Sequence, residues 1–253
     1  MHDSAPLKTA QQDGVLTVTL NRPESRNAIN IELTRALAAC LGAFDADAAL
    51  KVLVVTGTDP AFCAGLDLKA FSAPDSPRAE VSAMVDMWPR LKKPVIAAVN
   101  GAVYTGGLEI ALGCDFIVAS ERAIFCDTHA RIGALAGGGM NARLPSAVGL
   151  RWAKQMSFSG LPVDAQTALR IGLANEVIAH DRLLGHVLDL ATTIAKNDLE
   201  LLMAVKGTMD RGAMATMAEA LYLEKDVLNA RKARGGIRWE SSIASGTGQG
   251  HQR

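Results

Sequence analysis

Two stretches set glycine-bearing turns where an anion can be held. The first is Ala61-Phe62-Cys63-Ala64-Gly65-Leu66-Asp67-Leu68-Lys69, just after the apolar run at 52–56. The second is Asn100-Gly101-Ala102-Val103-Tyr104-Thr105-Gly106-Gly107-Leu108-Glu109, just after the run at 95–99. In each, a strand-like segment feeds a turn and then a helix start. The leading N–H groups of a helix lack intrahelical acceptors, and the helix dipole favours negative charge beside them. Glycine lets the backbone approach a ligand closely. Alone, each turn is weak evidence and reads first as an ordinary connection. Brought together, the two can offer one oxygen two donors, the geometry that stabilises an enolate.

The elements that must position these turns follow from periodicity. Val15 to Leu20 reads as a strand, ended by Asn21-Arg22-Pro23-Glu24. Asn30 is placed to cap a helix whose apolar residues Leu33, Leu37, Cys40, Leu41 and Phe44 recur at helical spacing. Val52-Leu53-Val54-Val55, Val95-Ile96-Ala97-Ala98-Val99 and Phe116-Ile117-Val118-Ala119 are unbroken apolar runs, as in strands covered on both faces. Between them, Arg78 to Leu91 and a short segment from Gly106 to Gly113 pattern as helices. Met84, Met87 and Trp88 on the first of these read either as the wall of a ligand pocket or as core. The alternation argues for an α/β architecture.

From about residue 145 the strands thin out. Ser146–Phe158, Asp164–Ile171, Asp181–Lys196, Asp198–Met209 and Met214–Lys232 are expected helices, several with Asp at the start as a cap. The last carries Met214, Met217, Ala218, Leu221, Leu223 and Leu228, a surplus that fits a subunit contact or simple core packing. The Gly- and Ser-rich tail from Gly235 to Arg253 is expected to be partly disordered.

Composition excludes some classes. Twenty-six basic side chains balance 26 acidic ones, which gives no electrostatic footprint for nucleic acid or an anionic membrane, so a highly charged ligand must be gripped locally. Cys40, Cys63, Cys114 and Cys126 form no C-x-x-C pair and read as small core residues in a reducing compartment, with no metal site implied. The N-terminus lacks the basic and apolar regions of a signal peptide, and no apolar stretch approaches the roughly 20 residues of a membrane span. The expectation is a soluble, cytoplasmic protein.

In this order the motifs resemble the enoyl-CoA hydratase/isomerase (crotonase) superfamily. The resemblance runs from Asn21-Arg22-Pro23 and Asn27-Ala28 through Phe62 to Lys69, Lys93-Pro94 to Gly101, Gly106-Gly107-Leu108-Glu109 and Cys114-Asp115. It extends to Gly160, Asp164-Ala165 and Gly172-Leu173. It implies a β-β-α spiral that binds acyl-CoA over 1–190, then a C-terminal helical oligomerisation region with a flexible tail over 191–253, assembled as a homotrimer or homohexamer.

Carried over by position, Leu66 and Gly106 donate the two oxyanion N–H groups. Ala64, Leu66, Asp67, Leu68, Lys69 and Gly106 line the CoA channel, with backbone at Arg26 and Ala28 near the adenosine end. Lys69 reads as a phosphate contact or as a solvated helix lysine. Hydratases of this family hold one water between two glutamates. Glu109, one turn after Gly106, stands at the first position; at the second, this chain has His129. An imidazole can orient water and shuttle a proton, or can merely shape the pocket. Asp127, two residues earlier, is off register with that position and is not expected to act. The dehalogenase branch uses an aspartate where Gly137 stands, so its chemistry is not expected, and the additional glycine at 138 is expected to loosen its loop. The basic and aromatic C-terminal segment usual in the family has no clean match; Arg231, Lys232 and Arg234 read as a solvated basic end before they read as substitutes for it.

The resemblance thus implies an enoyl-CoA hydratase-like lyase of fatty-acid or related acyl-CoA metabolism, with no cofactor beyond the CoA of its substrate. Two alternatives stay open: another crotonase lyase or isomerase using Glu109 alone, and a non-catalytic acyl-CoA-binding protein.

Overall fold

The computed structural model describes residues 5–72 and 76–235. Leu7–Gln12 (β1) and Val15–Leu20 (β2) pair antiparallel across Asp13-Gly14, both at positive φ. Asp-Gly is the dipeptide such a two-residue turn favours, and it signals a strand, β1, that the apolar pattern alone does not reveal. Ile31–Ala46 (α1) follows; Asn30 caps it, its side chain accepting from Leu33 N. Leu33, Leu37, Leu41 and Phe44 on one face of α1 are fully buried.

Three strand–strand–helix units then build the spiral. Val52–Gly57 (β3), Ala61–Cys63 (β4) and Arg78–Val85 (α2) form the first. Val95–Val99 (β5), Ala102–Tyr104 (β6) and Gly106–Gly113 (α3) form the second. Phe116–Ser120 (β7), Ile124–Cys126 (β8) and Met140–Ser159 (α4) form the third. Val163–Asp164 (β9), Ala165–Arg170 (α5), Glu176–Ile178 (β10) and Leu183–Ala195 (α6) complete the layering. One sheet has the order β1-β2-β3-β5-β7-β10 and the other β4-β6-β8-β9. From β2 to β10 the first sheet is parallel. Alternate residues of its central strands divide between two apolar cores: Leu53, Val55, Ala97 and Val99 pack with α1, whereas Val52, Val54, Ile96 and Ala98 pack with Val187 and Ala191 of α6. Burial on both faces is why these strands read as unbroken apolar runs.

Several boundaries differ from expectation, each for a local reason. The helix expected over 78–91 stops at Val85, and a 3-10 turn at Trp88–Arg90 takes over where Pro89 removes a backbone donor. Trp88 and Met84 are core, the indole N–H meeting the Met84 sulfur at 3.4 Å. α4 begins six residues earlier than expected, and Gly149, with φ 76° and ψ 152°, interrupts it. Asp164 caps α5 through Thr167 N, but Asp181 lies in a 3-10 turn ahead of α6 and caps nothing there.

The chain divides into two compact units, Met1–Leu199 and Glu200–Arg253; the expected boundary at 190 lies inside α6. Leu199–Gly212 (α7) and Met217–Ala233 (α8) are the last helices described. α8 starts at Met217, not 214, because Thr216 and Glu219 form a reciprocal capping box. The tail expected to be disordered lies, after Gly235, outside the described residues. No helix among the described residues is long and apolar enough to cross a membrane.

Candidate active site

β4, β6 and β8 are parallel neighbours in the second sheet. The residues that leave their C-terminal ends, Ala64 and Leu66, Thr105 and Gly106, Thr128 and His129, line one cavity of about 580 Å³. A volume of this size suits a small-molecule site. The topology thus gathers three loops distant in sequence.

The first loop is fixed by Ile29, whose N–H donates to Gly65 O at 2.8 Å and whose carbonyl accepts from Asp67 N at 2.9 Å. These bonds straddle Leu66, so the N–H of Leu66 points away from Ile29. Gly65 has φ 89°, and a side chain there would run into Thr105 and stand 3.3 Å from Gly106 N. A methyl added to Gly106 would stand 3.7 Å from Leu66 N. The two junctions therefore converge. Gly106 opens α3, where N–H groups lack helical acceptors. Thr105 before it holds φ 43° and ψ −111°, a strained conformation for a β-branched residue and a signal that the sequence does not display. Burial pushes the thiol of Cys63, beside this junction, up to about 12.

Glu109 is 6% exposed on α3 and lines the same cavity. Its Oε1 accepts from Gly138 N at 2.7 Å and from Met140 N at 3.4 Å. A Cβ on Gly138 would lie 2.7 Å from Glu109 Oε2 and from Val85 Cγ1. The extra glycine therefore does not loosen the loop; it lets backbone close onto the carboxylate.

His129 follows β8. Its Nδ1 lies 2.7 Å from Asp127 Oδ1, which also accepts from His129 N at 3.1 Å. The hydrogen bond to Asp127 raises the imidazole pKa above its ordinary 6.5; burial opposes this, and the charges of Asp127 and Glu109 add to it. Asp127 is 2% exposed, and its second oxygen accepts from Ser157 Oγ of α4 at 2.6 Å. Burial works against its ionisation, but the bonds from His129 and Ser157 outweigh it and hold the carboxyl below the usual 3.8. Asp127 is off register for the cavity, as the spacing suggests, yet it grips the histidine that is in register. Asp-x-His on a loop after a strand was the available signal.

Of the residues expected to contact CoA, Ala64, Leu66, Leu68 and Gly106 line the cavity. Arg26 and Ala28 lie outside it and act through backbone: Arg26 O accepts from Ala64 N, and Ala28 O from the Arg22 guanidinium. Asp67 also lies outside, paired with Arg22 at 3.2 Å, and Lys69 is solvent-exposed. Phe71, Val81, Val85 and Leu135 supply an apolar wall that the sequence did not mark; α2 offers Val81 and Val85 to the cavity, whereas Met84 of α2 and Trp88 of the 3-10 turn after it are not part of the lining.

Comparison with known proteins gives the family. The family model described as enoyl-CoA hydratase/isomerase matches residues 10–244. A Rhizobium meliloti (strain 1021) protein named "Probable enoyl-CoA hydratase" is 40% identical over 217 residues, covering 85% of this chain and 84% of that protein. The crystal structure of enoyl-CoA hydratase from Bacillus anthracis superposes with a TM-score of 0.85 at 28% identity, covering 88% of this chain and 90% of that one. That of enoyl-CoA hydratase from Mycobacterium tuberculosis H37Rv is 41% identical, with a TM-score of 0.75 over 90% of this chain and 99% of that one. With the β-β-α spiral and its two converging junctions, these likenesses place the chain in the enoyl-CoA hydratase/isomerase family, with the crotonase fold.

Proposed function

We propose that the protein is an enoyl-CoA hydratase, a hydro-lyase that adds water across the 2,3-double bond of an acyl-CoA thioester. The observation that carries this reading is Glu109, a buried carboxylate facing the cavity where the Leu66 and Gly106 junctions meet. Glu109 takes a proton from a water that attacks C3. The electron pair of the double bond moves onto the thioester oxygen, where the N–H groups of Leu66 and Gly106 hold the enolate. The enolate collapses by taking a proton at C2, which His129 delivers. Passage of a proton from Glu109 to His129 resets the pair. The thioester supplies the electronic stabilisation, so the reaction calls on no metal or redox cofactor.

Ala64, Leu68 and Lys69, with backbone held through Arg26, Ala28 and Asp67, form the path along which the CoA would lie. Reduced cysteines and balanced charge support a cytoplasmic site of action, and the naming of the relatives supports a role in acyl-CoA metabolism. The test is spectrophotometric: loss of the enoyl-thioester absorbance on mixing the protein with crotonyl-, longer enoyl- and aryl-enoyl-CoA. Turnover of at least one is expected. A protein that binds a non-reactive acyl-CoA but hydrates none would be a binding protein instead.

A further inference from the structure

A histidine in place of a carboxylate raises a question of orientation. An imidazole has two nitrogens, and only the one that meets the substrate can pass a proton to it. His129 lines the cavity, and its Nδ1 edge is taken by Asp127 at 2.7 Å. An ionised carboxylate is only an acceptor, so Nδ1 must carry the hydrogen. Asp127 is held from its other side as well: its second oxygen accepts from Ser157 Oγ at 2.6 Å, and the residue is 2% exposed. We propose that Asp127, locked by Ser157 of α4, is a positioning residue for the hydration reaction that fixes the tautomer and ring angle of His129 so that Nε2 faces the acyl thioester. The assignment rests on the hydratase reading for its chemistry, but its geometry stands without it.

The charge of Asp127 has a second effect. A buried anion against one side of an imidazole stabilises the protonated ring, which is the form that can deliver a proton at C2. The ionisable groups around the ring act in one direction: Asp127 from its own loop and Glu109 from α3 both favour the imidazolium. The nearby cations are turned to backbone: Arg131 to Gly160 O at 3.3 Å, Arg143 to Gly138 O at 2.9 Å, and Arg78 of α2, which lines the same cavity, to Phe71 O at 2.7 Å. Hydration therefore gains an acid in a place where the family usually has a carboxyl group, and Asp127 is what makes the histidine fit for it.

Nitrogen-15 NMR of the unmutated protein reads the tautomer directly. The expected result is an Nδ1–H imidazole titrating above 6.5, and an Nε2–H tautomer would overturn the proposal. Asp127→Asn should lower that titration point, move the corresponding limb of the kcat profile to lower pH and reduce kcat by roughly tenfold to a thousandfold, with KM changed less than about threefold. In a His129→Ala background the same change should cost less than about twofold, since the residue acts through the ring. An equal loss in both backgrounds would mean a structural role and overturn the assignment, as would an unchanged kcat in the single variant. Ser157→Ala gives a milder version should Asp127→Asn fold poorly: a smaller fall in kcat, again absent without His129. If the parent hydrates nothing, the hydratase reading fails, whereas the tautomer of His129 is still decided by NMR.

Discussion

Glu109 shows how little of a catalytic side chain's environment is local. Its Oε1 is held by the N–H of Gly138, 29 residues on. Glu109→Gln keeps an oxygen for that bond but cannot take a proton from water. The expected result is a fall in kcat of about 10²- to 10⁴-fold, with the affinity for a non-reactive acyl-CoA nearly unchanged, measured by steady-state kinetics and calorimetry. A parallel collapse of binding would move Glu109 from chemistry to architecture. His129 makes a sharper case. Restoring a carboxylate with His129→Glu would set it against the buried Asp127 at the position now held by Nδ1, where two like charges repel. His129→Glu alone should therefore hydrate more slowly than the parent. Adding Asp127→Asn removes the repulsion and should raise the rate above that of the single variant. A double variant no faster than the single one would show that the two carboxylates do not meet.

At the scale of elements, the strands of the first sheet were legible because burial on both faces leaves an unbroken apolar run, as in β3, β5 and β7, whereas β4, β6 and β8, which lead into the site, are three residues each and too short to show a pattern. The two glycine-bearing junctions were legible because chain geometry at a strand-to-helix turn restricts residue type. What stayed hidden is non-local. The pairing of Asp127 with Ser157 spans 30 residues, and nothing at either position announces the other. The start of α4 was missed because Gly137, Gly138, Gly139 and Pro145 all look like breakers, yet Met140 already belongs to the helix. One of those glycines is a close-approach requirement rather than a spacer. Gly138→Ala would press a methyl against Glu109 and Val85, so either the loop or the carboxylate must shift. The expected outcome is a loss of kcat of at least about tenfold, larger than the change in KM, because a displaced general base misaligns the water. Full activity in Gly138→Ala would mean that the loop gives way without moving Glu109.

For the molecule as a whole, the cavity and every group assigned to the chemistry belong to the unit Met1–Leu199. The unit Glu200–Arg253 carries none of them and instead presents apolar side chains: Met214 is 84% exposed, and Met217 and Tyr222 are each 75% exposed. Leu221 and Leu228 on α8 are exposed too. Isolated apolar side chains on a surface need no explanation, but this many on one helix and the turn before it form a group. With zero formal charge, little electrostatic repulsion opposes association. We propose that this region is the oligomerisation surface of a homotrimer or homohexamer. Light scattering should then give three or six times the 26.6 kDa chain mass. Paired changes on the exposed face, Met217→Glu with Leu221→Glu, should lower the measured mass, because buried charge without a partner opposes assembly. Since Met217 and Leu221 are exposed, circular dichroism of that variant should keep the helical signal of the parent, separating lost association from lost folding. A parent that stays monomeric at high concentration, or a double variant that assembles as the parent does, would remove this surface from the account of how the protein assembles.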